Sequence, residues 1–290
     1  MTQPAHAGQY AGGKAGGVMK VLFCGDIVGR AGRDVVLREV PRLREKLGLD
    51  FVVVNGENAA AGFGITARIC AELHAAGVDV ITGGNHSWDQ KEVMAHIAQD
   101  KRLLRPINFP PGTPGWGASV FDAARRQKVL VINVMCRLFM DALDDPFRAL
   151  DAELAKHRLK GTADFILVDV HGEATSEKQS IGHFLDGRVS AVIGTHSHIP
   201  TADAWILPGG TAYQTDAGMC GDYDSVIGMK KEIAVQRFIR KIPGERLAPA
   251  EGEGTLCGVV IESDDASGLA RSIQPVRIGG KLPATVIGAP

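Results

Sequence analysis

The stretch Val189-Ser190-Ala191-Val192-Ile193-Gly194-Thr195-His196-Ser197-His198 decides how this chain is read. Its first five residues form an apolar run that predicts a buried strand, and Gly194 ends it. Two histidines follow at i and i+2. On an extended segment that spacing turns both rings to one side. Imidazoles converging at a strand end are a natural start for a metal site, since neutral imidazole suits zinc, iron and nickel. An H-x-H pair alone is more often a surface accident than a ligand pair, so the weight falls on what the rest of the chain brings to it.

Further apolar runs predict strands over residues 18–24, 51–54, 78–82, 128–134, 165–170 and 211–215, and late antiparallel strands over 233–239 and 255–262. Amphipathic spacing predicts a helix from about residue 33, with Val36, Leu37, Val40, Leu43 and Leu47 on one face. Pro41 lies inside that pattern and predicts a kink or a restart there. Other helices are expected over 66–76 with Thr66 as N-cap, and over 90–99, 146–158 and 176–185. Four prolines and three glycines between residues 106 and 117 predict an irregular connection. Strands alternating with helices make the chain an α/β protein. There is no internal repeat, so residues 18–290 are expected to form a single domain. Residues 1–17, rich in Gly, Ala and Gln, are read as a flexible tail, with Met19 as the expected natural start.

The chain has 290 residues, 45% hydrophobic and 22% charged, and its 32 basic and 33 acidic residues leave a net charge of -1. That balance argues against strong binding of a nucleic-acid polymer or an anionic membrane. A small anionic substrate is still compatible, because a bound metal supplies positive charge that a residue count misses. The five cysteines (Cys24, Cys70, Cys136, Cys220 and Cys257) are scattered with no C-x-x-C pair. A disulfide framework or zinc ribbon is therefore not expected, and a reducing cytoplasm fits. No apolar run reaches the length of a membrane span.

Position lifts the histidine pair above coincidence. Asp26, Glu57, Asn85, His171 and the pair His196/His198 each come just after a predicted strand. In an α/β sheet, functional groups gather outside the carboxyl ends of the strands. Singly, Asp26 and Asn85 read equally well as turn residues, Glu57 as a first-turn helix acid and His171 as a satisfied buried histidine. Jointly, three histidines, two carboxylates and an amide suit two divalent metals better than one. A carboxylate shared by two metals about 4 Å apart is the usual device for hydrolysing phosphate esters.

The blocks Gly25-Asp26, Asn55-Gly56-Glu57-Asn58, Gly84-Asn85-His86, the lone His171 and Gly194-Thr195-His196-Ser197-His198 occur in the order seen in the calcineurin-like metallophosphoesterases, and the chain resembles that superfamily over about residues 19–230. Two departures stand out. Val28 occupies the place of the histidine in the superfamily's D-x-H, and Glu57 replaces the usual bridging aspartate. Both departures, with the runs 25–30, 171–178 and 215–219, resemble the YmdB-like bacterial branch.

That resemblance implies a four-layer α/β/β/α sandwich and a cytoplasmic phosphodiesterase acting on small phosphodiesters, 2′,3′-cyclic nucleotides among them. It implies two divalent or mixed-valence metal ions per chain, iron first, with manganese or zinc as alternatives. It also brings Asn58 to the metal site, filling the gap at Val28. The expected ligands are then Asp26, Glu57, Asn58 and His198 for one ion, and Glu57, Asn85, His171 and His196 for the other. His86, beside a ligand but offset by one residue, is the expected proton donor to the leaving group. The loops 62–64 and 222–225 are expected at the rim, where Phe63 and Tyr223 could stack on a base. A phosphomonoesterase with the same site, or a regulatory RNA-associated protein, are the alternatives, and a homo-oligomer is compatible with any of them.

Overall fold

In the computed structural model, which describes residues 17–242 and 244–285, strands and helices alternate along most of the chain. The strands are β1 (Val18–Cys24), β2 (Asp26–Ile27), β3 (Phe51–Asn55), β4 (Val80–Thr82), β5 (Leu103–Leu104), β6 (Ala118–Asp122), β7 (Lys128–Met135), β8 (Phe165–His171), β9 (Ala191–Thr195), β10 (Trp205–Ile206), β11 (Ala212–Gln214), β12 (Met219–Asp222), β13 (Gly254–Asp264) and β14 (Ala270–Ile278). The helices are α1 (Gly29–Leu47), α2 (Ala67–Ala75), α3 (Val93–Ile97), α4 (Pro146–Leu154), α5 (Thr175–Leu185) and α6 (Lys231–Arg240). The tail expected over residues 1–17 lies, apart from Gly17, outside the described residues.

Side-chain alternation inside the strands builds the layers. Eight strands form one sheet in the order β2-β12-β13-β1-β3-β4-β5, with β14 paired to β13, and six form a second in the order β10-β11-β9-β8-β7-β6. In β1 and β3, Leu22, Cys24, Val52 and Val54 face α1 and α2, while Val21, Phe23 and Val53 face the second sheet. In β7 and β8, Val129, Val131, Phe165 and Leu167 meet them there, while Leu130, Ile132, Ile166 and Val168 pack on α4 and α5. Strands buried on both faces explain the continuous apolar runs of the sequence. Each fully buried side chain of this size contributes roughly 1.5–3 kcal/mol. The result is the four-layer α/β/β/α sandwich. Among the described residues, no helix is long and apolar enough to cross a membrane.

The structure corrects three local expectations. First, α1 begins at Gly29 rather than near residue 33, because its first turn is built from buried small residues, Gly29, Ala31 and Gly32, that carry no hydrophobic signature. A side chain at Gly32 would collide with the Cys220 carbonyl of β12. Second, Pro41 brings no restart: α1 runs through it unbroken, with the ring on the exposed face. Third, residues 233–239 are not a strand but lie in α6. Their β-branched and aromatic content suggests a strand, yet Val235, Phe238 and Ile239 follow helical i, i+3, i+4 spacing and no sheet edge receives them.

Candidate metal centre

Each strand exit is shaped by its own sequence. Asn55 closes β3, and its side-chain oxygen accepts the Glu57 N–H at 3.1 Å, which turns the chain so that Glu57 points inward with 1% of its surface exposed. After β4, the Ser87 hydroxyl bonds both the N–H and the carbonyl of Gly84, making a tight turn that presents Asn85. Gly84 has to be glycine here, since a Cβ would lie closer than 3.0 Å to both Glu57 Oε2 and His171 Nε2. β8 delivers His171 as its last residue, wholly buried.

His196 and His198 lie beyond the end of β9, and both adopt positive φ, 96° and 66°. Left-handed backbone at such residues costs about 1–3 kcal/mol each and needs support. Lys178 of α5 supplies it. Its buried ammonium donates to the Thr195 carbonyl at 2.6 Å and to Asp216 Oδ2 at 2.8 Å. The same Asp216 oxygen accepts from the N–H and hydroxyl of Ser197, at 3.0 and 2.8 Å.

The side chains converge in two groups, Glu57–His171–His196 and Asp26–Glu57–His198, whose donor atoms lie within 4.8 Å of one another in each. Glu57 belongs to both. Asn85 Oδ1 is 2.9 Å from His171 Nε2, and the Asn58 amide is 2.9 Å from Glu57 Oε1 and 3.2 Å from His198 Nε2. Asp26, Glu57, Asn58, Asn85, His171, His196 and His198 are thus brought to one place. Val28 is not part of it; its side chain packs against Met219 and Met229.

A cation fits the residues present. Asp26 is wholly buried; its Oδ2 accepts the His196 N–H at 3.1 Å, but its Oδ1 has no hydrogen-bond partner and lies 3.9 Å from both His171 Nδ1 and His198 Nε2. A buried carboxylate oxygen without a partner is costly, and a metal ion is a partner that satisfies it. The donor set of carboxylate and amide oxygens with imidazole nitrogens suits first-row transition metals.

The carboxylates also favour positive charge at this place. Burial opposes charge on His171, but the Glu57, Asp26 and Asp169 carboxylates outweigh it and raise its pKa to about 9. Burial pushes Glu57 upward too, yet His171 and the His86 amide hold it at about 2. For Asp26 burial prevails and raises it. Burial, then the charge of His171, lowers His196 to about 3, which leaves it in the neutral form that ligates metals.

Behind the donors stands a layer that the sequence reading did not include. His171 Nδ1–H donates to the Thr195 hydroxyl at 2.9 Å, which donates to Asp169 Oδ1 at 2.7 Å. Asp169 Oδ2 accepts from Thr82 Oγ1 at 2.5 Å and from Asn55 Nδ2 at 3.1 Å. The chain fixes the ring so that Nε2 faces the donor group. His198 Nδ1 is likewise held by the Ile227 carbonyl at 2.8 Å, turning its Nε2 inward. The signal for Asp169 was present, an acid inside an otherwise apolar strand.

The centre opens into a cleft of about 290 Å³, reached by His86, Glu173, Phe63, Ile227, Met229 and Leu247. His86 Nδ1 is 2.8 Å from Asp89 Oδ2, and its ring meets Phe63 edge-on at 5.1 Å between centroids. Tyr223 is not free to stack on a base. Its hydroxyl accepts from the Met219 N–H at 2.9 Å and donates to the His198 carbonyl at 3.1 Å, so the ring braces the histidine loop from beneath.

Comparison with known proteins gives a consistent result. The family described as YmdB-like protein matches residues 22–276. A 2′,3′-cyclic-nucleotide 2′-phosphodiesterase from Bacillus subtilis (strain 168) is 48% identical over 260 residues, covering 90% of this chain and 97% of that protein. The crystal structure of a hypothetical protein from Thermus thermophilus superposes with a TM-score of 0.83 at 44% identity, covering 91% of this chain and 100% of the other. That of a novel phosphatase from Mycoplasma pneumoniae also reaches 0.83, at 34% identity, with 91% and 94% covered. A family match over most of the chain, with a relative this similar along nearly its whole length, shows that the chain belongs to the YmdB-like family.

Proposed function

We propose that the chain is a metal-dependent phosphodiesterase of the cytoplasm, hydrolysing small phosphodiesters and 2′,3′-cyclic nucleotides among them. The observation that carries this reading is Glu57, buried and common to two donor groups, beside the unpartnered Asp26 Oδ1 at the floor of an open cleft. The activity named for the 48% identical relative supports it. One ion would be held by Asp26, Glu57, Asn58 and His198, and a second by Glu57, Asn85, His171 and His196. Iron is proposed first, with manganese or zinc admitted by the same donors. When bound, the ions would supply activation of the attacking water and neutralisation of charge on the phosphoryl oxygens.

The chain's own residues do the rest. Glu57 sets the spacing of the two groups by belonging to both. Thr195 with Asp169, and the Ile227 carbonyl, fix the rings of His171 and His198. His86 has its Nδ1 engaged by Asp89, which leaves Nε2 to protonate the leaving oxygen. In a cyclic diester that oxygen stays attached to the ribose, so the product is a nucleoside monophosphate.

The test is metal analysis of the purified protein, with hydrolysis of bis-p-nitrophenyl phosphate and p-nitrophenyl phosphate measured side by side. Bound metal and a diester activity abolished by chelation are expected. Full activity without metal, or a loaded protein that cleaves neither ester, rejects the reading.

A further inference from the structure

The cleft above the donor groups has an unusual charge for a site that receives phosphate. Among the described residues lining it there is no lysine and no arginine. Its lining has one carboxylate outside the donor groups, Glu173, which follows His171 by two positions and is 54% exposed at the side chain. Glu173 Oε2 lies 3.4 Å from His196 Nε2. The other face of the cleft is apolar, with Phe63, Ile227, Met229 and Leu247.

A phosphate monoester above its second pKa, about 6, carries two negative charges, and a diester carries one. Arginine and lysine are the usual protein partners of the extra charge. Here none is offered, and Glu173 is the carboxylate that the lining adds to the donor Glu57. The apolar wall, conversely, gives a second ester substituent a surface to bury, which a monoester lacks.

We propose that Glu173 selects substrate by charge, disfavouring dianionic monoesters so that the site takes monoanionic diesters, cyclic ones included, whose apolar or aromatic part lies against the apolar wall. The inference rests on the phosphoesterase reading above and names which residue sets its substrate class. Glu173 also lies against His196, and contact and charge separate by substitution: Glu173→Gln keeps an oxygen beside the imidazole and removes the charge.

The experiment compares wild type, Glu173→Gln and Glu173→Asp, each with metal content measured, on p-nitrophenyl phosphate and bis-p-nitrophenyl phosphate at pH 8. The ratio of kcat/KM for monoester over diester should rise roughly three- to tenfold in Glu173→Gln, as expected for one unit charge removed near a solvated site, and return towards wild type in Glu173→Asp. Calorimetry should show inorganic phosphate binding tighter to Glu173→Gln by a similar factor, with dimethyl phosphate shifted less. An unchanged ratio and unchanged phosphate affinity overturn the proposal. So does a parallel fall on both esters with loss of metal, which assigns Glu173 to support of His196 alone. A loaded wild type that cleaves neither ester refutes the phosphoesterase reading instead, and the phosphate-binding arm then still decides the role of Glu173.

Discussion

Replacing Gly84 with alanine adds one methyl group at the place where the two donor groups meet. Its Cβ would stand closer than 3.0 Å to Glu57 Oε2 and His171 Nε2, a separation real Cβ atoms essentially never show. The backbone of Gly84 is not left-handed, so alanine brings no conformational strain of its own. Both donors, or the Gly84 turn itself, must then move by about 1 Å to restore ordinary contact. Neither moves freely. Glu57 Oε2 accepts the His86 N–H at 3.0 Å, and His171 is tied to Thr195 and Asn85 at 2.9 Å each. Losing one buried hydrogen bond to a charged group costs about 1.5–3 kcal/mol. For a chain of 290 residues that lowers Tm by roughly 2–5 °C. The larger effect is on geometry, because a misplacement of about 1 Å can cost 10²-fold in rate. Gly84→Ala should therefore fold, bind less metal at saturation, and lose about two orders of magnitude in diester turnover. Gly244→Ala, whose added methyl meets no atom within 4 Å among the described residues beyond its chain neighbours, is the matched control. Metal analysis, a thermal melt and steady-state kinetics on the two proteins decide it. Full metal content with turnover within threefold of wild type would refute the argument that these donors meet around Gly84.

Three further outcomes are expected. Glu57→Gln, which removes the charge common to both donor groups, should lose at least one metal per chain and nearly all hydrolysis; two metals and normal turnover would take Glu57 out of the site. His86→Ala should keep its metal but slow turnover roughly 10²–10⁴-fold on esters with poor leaving groups, and far less with p-nitrophenolate; equal slowing of both, measured with metal intact, would contradict a proton donor. Burial pushes the thiols of Cys70, Cys136 and Cys257 up to about 12 and raises Cys220 well above the usual range. With all five cysteines buried, the native protein should release almost no thionitrobenzoate from Ellman's reagent at pH 8 and five equivalents once unfolded, and rapid native reaction would show the core to be open.

How much of this was legible follows from the physics of each signal. The double-sided strands announced themselves, because residues 129–132 and 165–168 face helices and a second sheet at once and so have no polar phase. The donors were legible for a related reason: an acid, an amide or a histidine directly after such a run breaks its chemistry at a fixed place. What escaped was structure written in weak or misleading residues. β2, β5 and β10 are two residues long, too short for any periodicity to show. α6 is rich in β-branched and aromatic residues and buries only Ala234, so neither composition nor packing marked it as a helix. Tyr223 reads by residue type as a rim aromatic, whereas its hydroxyl has four backbone and sulfur partners that only the tertiary structure supplies.

The histidine pair itself shows where a correct conclusion can rest on an incomplete reason. Spacing of i and i+2 on a strand turns two side chains the same way, and the pair was read so. In the folded chain β9 stops at Thr195, and the histidines sit on a left-handed turn, where strand geometry no longer applies. They also do not serve one point: His196 joins Glu57 and His171, while His198 joins Asp26 and Glu57. A strand would have delivered both rings to one group. The turn divides them between two, and it is held by a lysine, Lys178, that on helical spacing alone reads as an ordinary surface residue. Its burial beside Asp216 at 2.8 Å costs desolvation that only a required geometry repays. The divided pair is thus the feature that sets the two donor groups apart, and its cause lies in α5 and in the segment after β11, not in the motif.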